Sequence, residues 1–186
     1  MFHLAIANHI ELLYNGLMKT TAMAVCLVLL AADALPAVAI VREPARVIRV
    51  ISADTLTILY RGKWEEIKLI GPEAPQTMIN DQAYEQALKD LATPEEIVRR
   101  GLKATEFVKE FLHYGSQVWI EFDVRKRDRY SRLLGYVYLA DGRMLNEIIL
   151  RRGLADLFLT PPNLRYSRRF QEIARLAGRE ASRPQN

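Results

Sequence analysis

Thiols and imidazoles are nearly missing from this chain of 186 residues, which has one cysteine and three histidines. Cys26 lies in the apolar run 22–32, behind Met18-Lys19 and ahead of "ALPAVA", whose small residues Ala37 and Ala39 flank Val38. A charged start, an apolar run and a small-residue cleavage site read as a secretory signal cut after Ala39, with translation expected to begin at Met18. The mature chain would then hold no thiol, which excludes disulfides, thiolate metal sites and cysteine nucleophiles. His3 and His9 fall before the cut. His113 alone remains, which excludes a His-rich zinc site and makes a Ser-His-Asp triad unattractive; after "FVKEFL" it reads as a residue at a helix C-terminus. Long apolar runs are lacking too. The run 22–32 is well short of the ~20 residues a spanning helix needs, so no stable membrane anchor is expected, and the chain is predicted to be exported to a periplasm or outside the cell. There are no internal repeats and no low-complexity segments.

What is present is enough apolar sequence, half of all residues, for one good core. Residues 40–181 are predicted to form a single domain and 182–186 a loose tail. Basic residues exceed acidic ones by 26 to 22, and the excess is concentrated: residues 125–186 carry 14 basic and 6 acidic side chains. A basic C-terminal third suits a polyanion, nucleic acid or an anionic surface.

The stretches "ARVIRVI" (45–51), "DTLTILY" (54–60) and "WEEIKLI" (64–70) alternate as half-buried strands, with Arg61-Gly62 turning the second into the third. A proline-rich loop follows. Tyr84, Ala87, Leu88 and Leu91 then recur at helical spacing, and "TPEE" (93–96) caps a second helix running to about Leu112. Strands return at 116–122 and 133–139, and two more helices close the chain, the last with Tyr166, Phe170, Ile173 and Ala177 on one face. Trp64 and Trp119, on strands, read as core or rim packing. Five strands with a helix between the third and fourth is the order of an OB-type barrel in an α+β fold, with about three helices and a helical insertion between Gln76 and Gly101.

Four stretches are peculiar enough to carry a resemblance: "ADTLTILYRG", "KLIGPEAPQ", "FDVRKRDRYSRLLGYVYLADGRMLNE" and "RRGLA". On these the chain resembles the staphylococcal nuclease (thermonuclease-like) family, from about Val47 to Ala181. The resemblance implies a phosphodiesterase that hydrolyses DNA or RNA with calcium. Asp54, Glu73 and the Ala74 carbonyl match its cation ligands, and Lys68 and Arg132 stand where the family places two arginines. Tyr130 matches a phosphate-contacting tyrosine, Arg129 a basic neighbour, and Gln76 the position of the acid poised on the attacking water. The chemistry agrees with these assignments, because hard cations take oxygen ligands and a phosphoryl transition state needs positive charge from separate elements.

Three substitutions fall on that constellation. Gln76 is an amide where the family has Glu and cannot accept a proton, Glu73 is one methylene longer than the family's Asp, and Lys68 lacks the guanidinium fork. The expectation is a weakened, monomeric nuclease acting on single-stranded DNA or RNA. Two other readings stand beside it: a non-catalytic nucleic-acid-binding module on the same fold, and an envelope protein whose basic face meets acidic partners.

Overall fold

A computed structural model describes residues 40–181. The expected signal, its cut after Ala39, the Met18 start and the tail 182–186 lie outside the described residues.

Strands β1 (Arg42–Ser52), β2 (Thr55–Tyr60) and β3 (Lys63–Leu69) form the expected antiparallel meander. Arg61 and Gly62 join the last two with φ of 50° and 77°, the left-handed backbone that a two-residue hairpin requires. A three-residue strand, β4 (Gly71–Glu73), carries the proline-rich loop away from the barrel. Strands β5 (Gln117–Glu121) and β6 (Leu133–Tyr138) complete a closed barrel in the order β1-β2-β3-β6-β5, with β6 parallel to β3 and β5 returning to β1. This is the predicted OB-type α+β fold. Closure depends on β1, which pairs with β5 through Arg46 and with β2 from Arg46 onward, bending at two register shifts.

Inward side chains of alternating strand positions, among them Val47, Leu56, Ile58, Ile67, Val118, Ile120 and Val137, make the core. One end of it is covered by α2 (Pro94–Lys109), which is capped by Thr93 and buries Ile97, Ala104 and Val108. His113 lies beyond the end of this helix, where its N–H donates to Ser116 Oγ. Helices α3 (Leu145–Arg151) and α4 (Ser167–Ala181) pack on the other side, where Phe170 and Ile173 join Tyr136 and Tyr138. Between them runs β7 (Asp156–Phe158), paired with β4. Among the described residues no helix is long and apolar enough to cross a membrane.

The insertion is helical, as expected, but it buries a different face. In α1 (Asp81–Asp90) the buried residues are Ala83 and Ala87, while Tyr84, Leu88 and Leu91 are 55%, 79% and 96% exposed. Small side chains let α1 lie close to α2 and the site loop, and larger apolar ones at the predicted spacing do not fit there. Trp64 is likewise exposed on the barrel's outside, while Trp119 packs partly buried against the Tyr136 cluster.

Helix α2 also presses on the site loop. A Cβ added at Gly101 would come within 2.2 Å of the Gln76 carbonyl oxygen and 2.5 Å of that of Pro75. These are backbone atoms that cannot rotate aside. Gly101→Ala is therefore expected to lower stability by about 1–3 kcal/mol, as overpacked sites do, in urea unfolding, and an unchanged midpoint would show that the loop yields freely.

Candidate functional site

At one end of the barrel the β1–β2 turn, β3, the proline-rich loop, the 129–132 turn and α1 surround a cavity of about 620 Å³. All eight residues singled out in the sequence edge it: Asp54, Lys68, Glu73, Ala74, Gln76, Arg129, Tyr130 and Arg132.

Asp54 is the anchor. It follows β1 in a tight turn, is 4% exposed, and each of its oxygens accepts two hydrogen bonds. Ser52 Oγ and Thr55 Oγ1 donate to Oδ1 at 2.8 and 2.9 Å, while Lys68 Nζ and the Ala74 N–H donate to Oδ2, both at 2.8 Å. Burial opposes its charge most strongly, yet the Lys68 ammonium, the Ala74 N–H and the Ser52 hydroxyl together hold the carboxyl below its usual range. Lys68 reaches it from β3, where the Thr55–Lys68 pairing sets the two side by side.

Arg132 is oriented by a residue that the sequence reading did not single out. Asp128 Oδ1 accepts from the N–H groups of Tyr130 and Arg132, and its Oδ2 accepts from Arg132 Nε at 2.8 Å. One carboxylate thus shapes the turn and aims the guanidinium. The signal was the Asp at i before an Arg at i+4 in a loop, an Asx-type turn that closes on its own side chain. The Arg129 and Arg132 guanidiniums lie 4.7 and 5.4 Å from the centre of the Tyr130 ring, which is itself 61% exposed.

Helix α1, from the insertion between Gln76 and Gly101, adds a wall to the site. Gln86 spans the loop backbone, its Oε1 accepting from the Gln76 N–H at 3.0 Å and its Nε2 donating to the Ala74 carbonyl at 3.4 Å. Asn80 caps the helix by accepting from the Ala83 N–H at 2.8 Å and donates from Nδ2 to Gln76 Oε1 at 3.1 Å. Lys89, on the same wall, pairs with Asp156 of β7. Phe158, 59% exposed, lines an adjoining cavity that shares Lys68, Glu73, Arg129, Tyr130 and Arg132.

The charge balance of the main cavity favours a cation. Asp54, Glu66, Glu73, Glu85 and Asp156 stand against Lys68, Lys89, Arg129 and Arg132. The Asp54 and Glu73 carboxylates and the Ala74 carbonyl are the hard oxygen donors that a calcium-like ion takes. No group of three or more acidic, histidine or cysteine side chains gathers closely enough among the described residues to hold a metal by itself. A cation here would displace Lys68 from Asp54 and compete with Gln86 for Ala74.

Comparison with known proteins agrees with this architecture. The sequence profile described as Staphylococcal nuclease homologue matches residues 66–182. The chain is 32% identical over 132 residues to the Thermonuclease of Staphylococcus hyicus, covering 71% of this chain and 69% of that protein. It is 34% identical over 118 residues to the Thermonuclease of Staphylococcus intermedius, covering 63% and 61%. With Endonuclease YncB of Bacillus subtilis (strain 168) it shares 30% over 125 residues, covering 66% of this chain and 52% of that protein.

The lowered carboxyl of Asp54 has a signed consequence. Its ion pair contributes fully above the ordinary aspartate range and is lost as pH falls through the lowered folded value. In urea unfolding the parent should exceed Asp54→Asn in stability at neutral pH, with the gap narrowing progressively below about pH 4. A gap that is constant with pH would mean that the ionised carboxylate is not what holds the turn.

Proposed function

The chain belongs to the staphylococcal nuclease family, and from that premise we propose that it is an exported, monomeric phosphodiesterase acting on single-stranded DNA or RNA with calcium, at reduced turnover. The observation that carries this reading is the convergence of Lys68 from β3 and Arg132 from the 129–132 turn on one cavity edged by Asp54, Glu73 and the Ala74 carbonyl. Two cations from separate elements suit a phosphoryl group whose charge grows on its non-bridging oxygens in the transition state.

Asp54, Glu73 and the Ala74 carbonyl would hold the cation. Bound there, it would supply positive charge to the phosphoryl oxygens. The chain's own residues do the rest. Lys68, released from Asp54, is free to turn to the phosphate, Arg132 is held ready by Asp128, and Tyr130 with Arg129 presents a ring and a charge to the strand. Turnover is reduced because Gln76 offers no carboxylate to take the water's proton, assistance worth typically ~10²- to 10⁴-fold. Lys68 in place of a forked guanidinium and the longer Glu73 lower it further.

One observation favours a second reading, a nucleic-acid-binding module without catalysis. Gln76 has no group that can take a proton from water, and its one hydrogen-bond acceptor is already engaged by Asn80.

Cleavage of single-stranded DNA and RNA in calcium, with a chelator as control, decides between them. The parent should cleave slowly in calcium and not in chelator, and Arg132→Ala should lose about 10²-fold or more while keeping its melting temperature. Salt-sensitive binding with no cleavage would favour the binding module. Calcium binding itself is read separately by thermal shift: Lys68→Met, which frees Asp54, should be stabilised at lower calcium than the parent, whose response is expected on the order of millimolar. Identical calcium responses would remove Lys68 as the competitor.

A further inference from the structure

Gln76 carries an amide where the family has an acid. Its hydrogen bonds give it a definite chemistry of its own. Asn80 caps α1, so its Oδ1 is fixed as the acceptor for the Ala83 N–H at 2.8 Å. Its other head atom must then be the NH2, which donates to Gln76 at 3.1 Å. Only an oxygen can accept there, so the Gln76 amide is turned with Oε1 toward Asn80. The backbone of Gln76 is held as firmly, its N–H donating to Gln86 Oε1 and its carbonyl lying against Gly101. What remains is Gln76 Nε2, which has no partner among the described residues. It is not among the buried polar atoms left without a hydrogen bond, so solvent reaches it, and Gln76 lines the cavity.

We infer that Gln76 is a phosphate-binding residue, whose NH2, turned outward by the α1 cap Asn80, donates to a non-bridging oxygen of the bound phosphodiester. A free NH2 in the cavity that Lys68 and Arg132 also line can donate to an anionic oxygen and cannot take a proton from water. The insertion thereby converts a loop position suited to a base into part of the anion cradle. This rests on the nucleic-acid reading of the same cavity and adds to it the role of one side chain and the residue that orients it.

The test measures binding rather than cleavage. A short, fluorescently labelled single-stranded oligonucleotide is titrated with the parent, Gln76→Met, Asn80→Asp and the double variant at low salt in chelator, with inorganic phosphate as competitor. Gln76→Met keeps the side-chain length without the donor and should weaken binding about tenfold. Asn80→Asp keeps the cap, since aspartate caps as well as asparagine. Its second oxygen can only accept, so it should turn the Gln76 amide over, present Oε1 to the phosphate and weaken binding comparably. The double variant should be no weaker than Gln76→Met alone, because both changes act through one NH2. Fully additive losses would mean that Asn80→Asp acts by charge alone and would overturn the inference. So would Gln76→Met binding as tightly as the parent, which would leave the nucleic-acid reading intact. A parent that binds the oligonucleotide neither in chelator nor when the titration is repeated in calcium would sink both together.

Discussion

The Asp54 carboxylate is the constraint on which the site depends. It is nearly out of contact with water, and a charge in that position is tolerated only because four donors converge on it. Each donor comes from a different part of the mouth: Ser52 from the end of β1, Thr55 from the start of β2, Lys68 from β3 and Ala74 from the proline-rich loop. The one side chain therefore fixes the turn, the strand and the loop against each other. Of the four donors only Lys68 carries charge, so losing it would leave the buried carboxylate to three neutral donors, a deficit that a bound cation would offset.

Helix α1 does for the outer half of the loop what Asp54 does for the inner half. Gln86 takes one backbone donor and one backbone acceptor of the loop, much as a neighbouring strand would, and Asn80 joins the start of the helix to Gln76. Gly101 of α2 closes the third side. With Pro72 and Pro75 restricting φ, the segment from Glu73 to Gln76 is held at both ends and from behind. The position of a phosphate or cation in this cavity is then set by rigid elements, and what distinguishes the site is which atoms it presents.

Much of this was legible in the sequence because the chemistry rides on regular elements. Asp54 sits at the turn between two alternating strands, Lys68 at a fixed register opposite Thr55, and Glu73, Ala74 and Gln76 in a short stiff loop; the family resemblance is what grouped them in the sequence, and the strand register and the loop bring them to one end of the barrel. The insertion was harder. Its apolar residues Tyr84, Leu88 and Leu91 have helical spacing, and periodicity assigns such a stripe to the core. Of the predicted stripe the structure buries only Ala87, together with Ala83, and turns Tyr84, Leu88 and Leu91 to solvent. The β4–β7 pairing was hidden for another reason: strands of three residues, one of them containing Pro72, have no period to detect. Asp128 was passed over because its work is done on the backbone of its own turn, which charge counting does not reveal.

The same contacts bear on why a fold of this kind tolerates changes at its site. Lys68 is held on Asp54, and the phosphate role proposed for it would exclude that contact, since an ammonium on the carboxylate is not available to a phosphate. A lysine suits this exchange better than an arginine would: its point charge moves on a flexible stem, while a forked guanidinium would grip the carboxylate through two bonds. The cavity's surplus of carboxylates pulls in the same direction: under the proposed function a cation entering it would take over Asp54 and free the lysine, and a phosphate that followed would meet a site whose net charge had changed sign. Cation and phosphodiester would then favour each other's binding through one side chain, and by linkage that coupling would be reciprocal. In such an arrangement the loss of a proton acceptor at Gln76 leaves recognition standing, because binding depends on the Asp54–Lys68 exchange and on the donors around it, and only the water-activating step depends on a base.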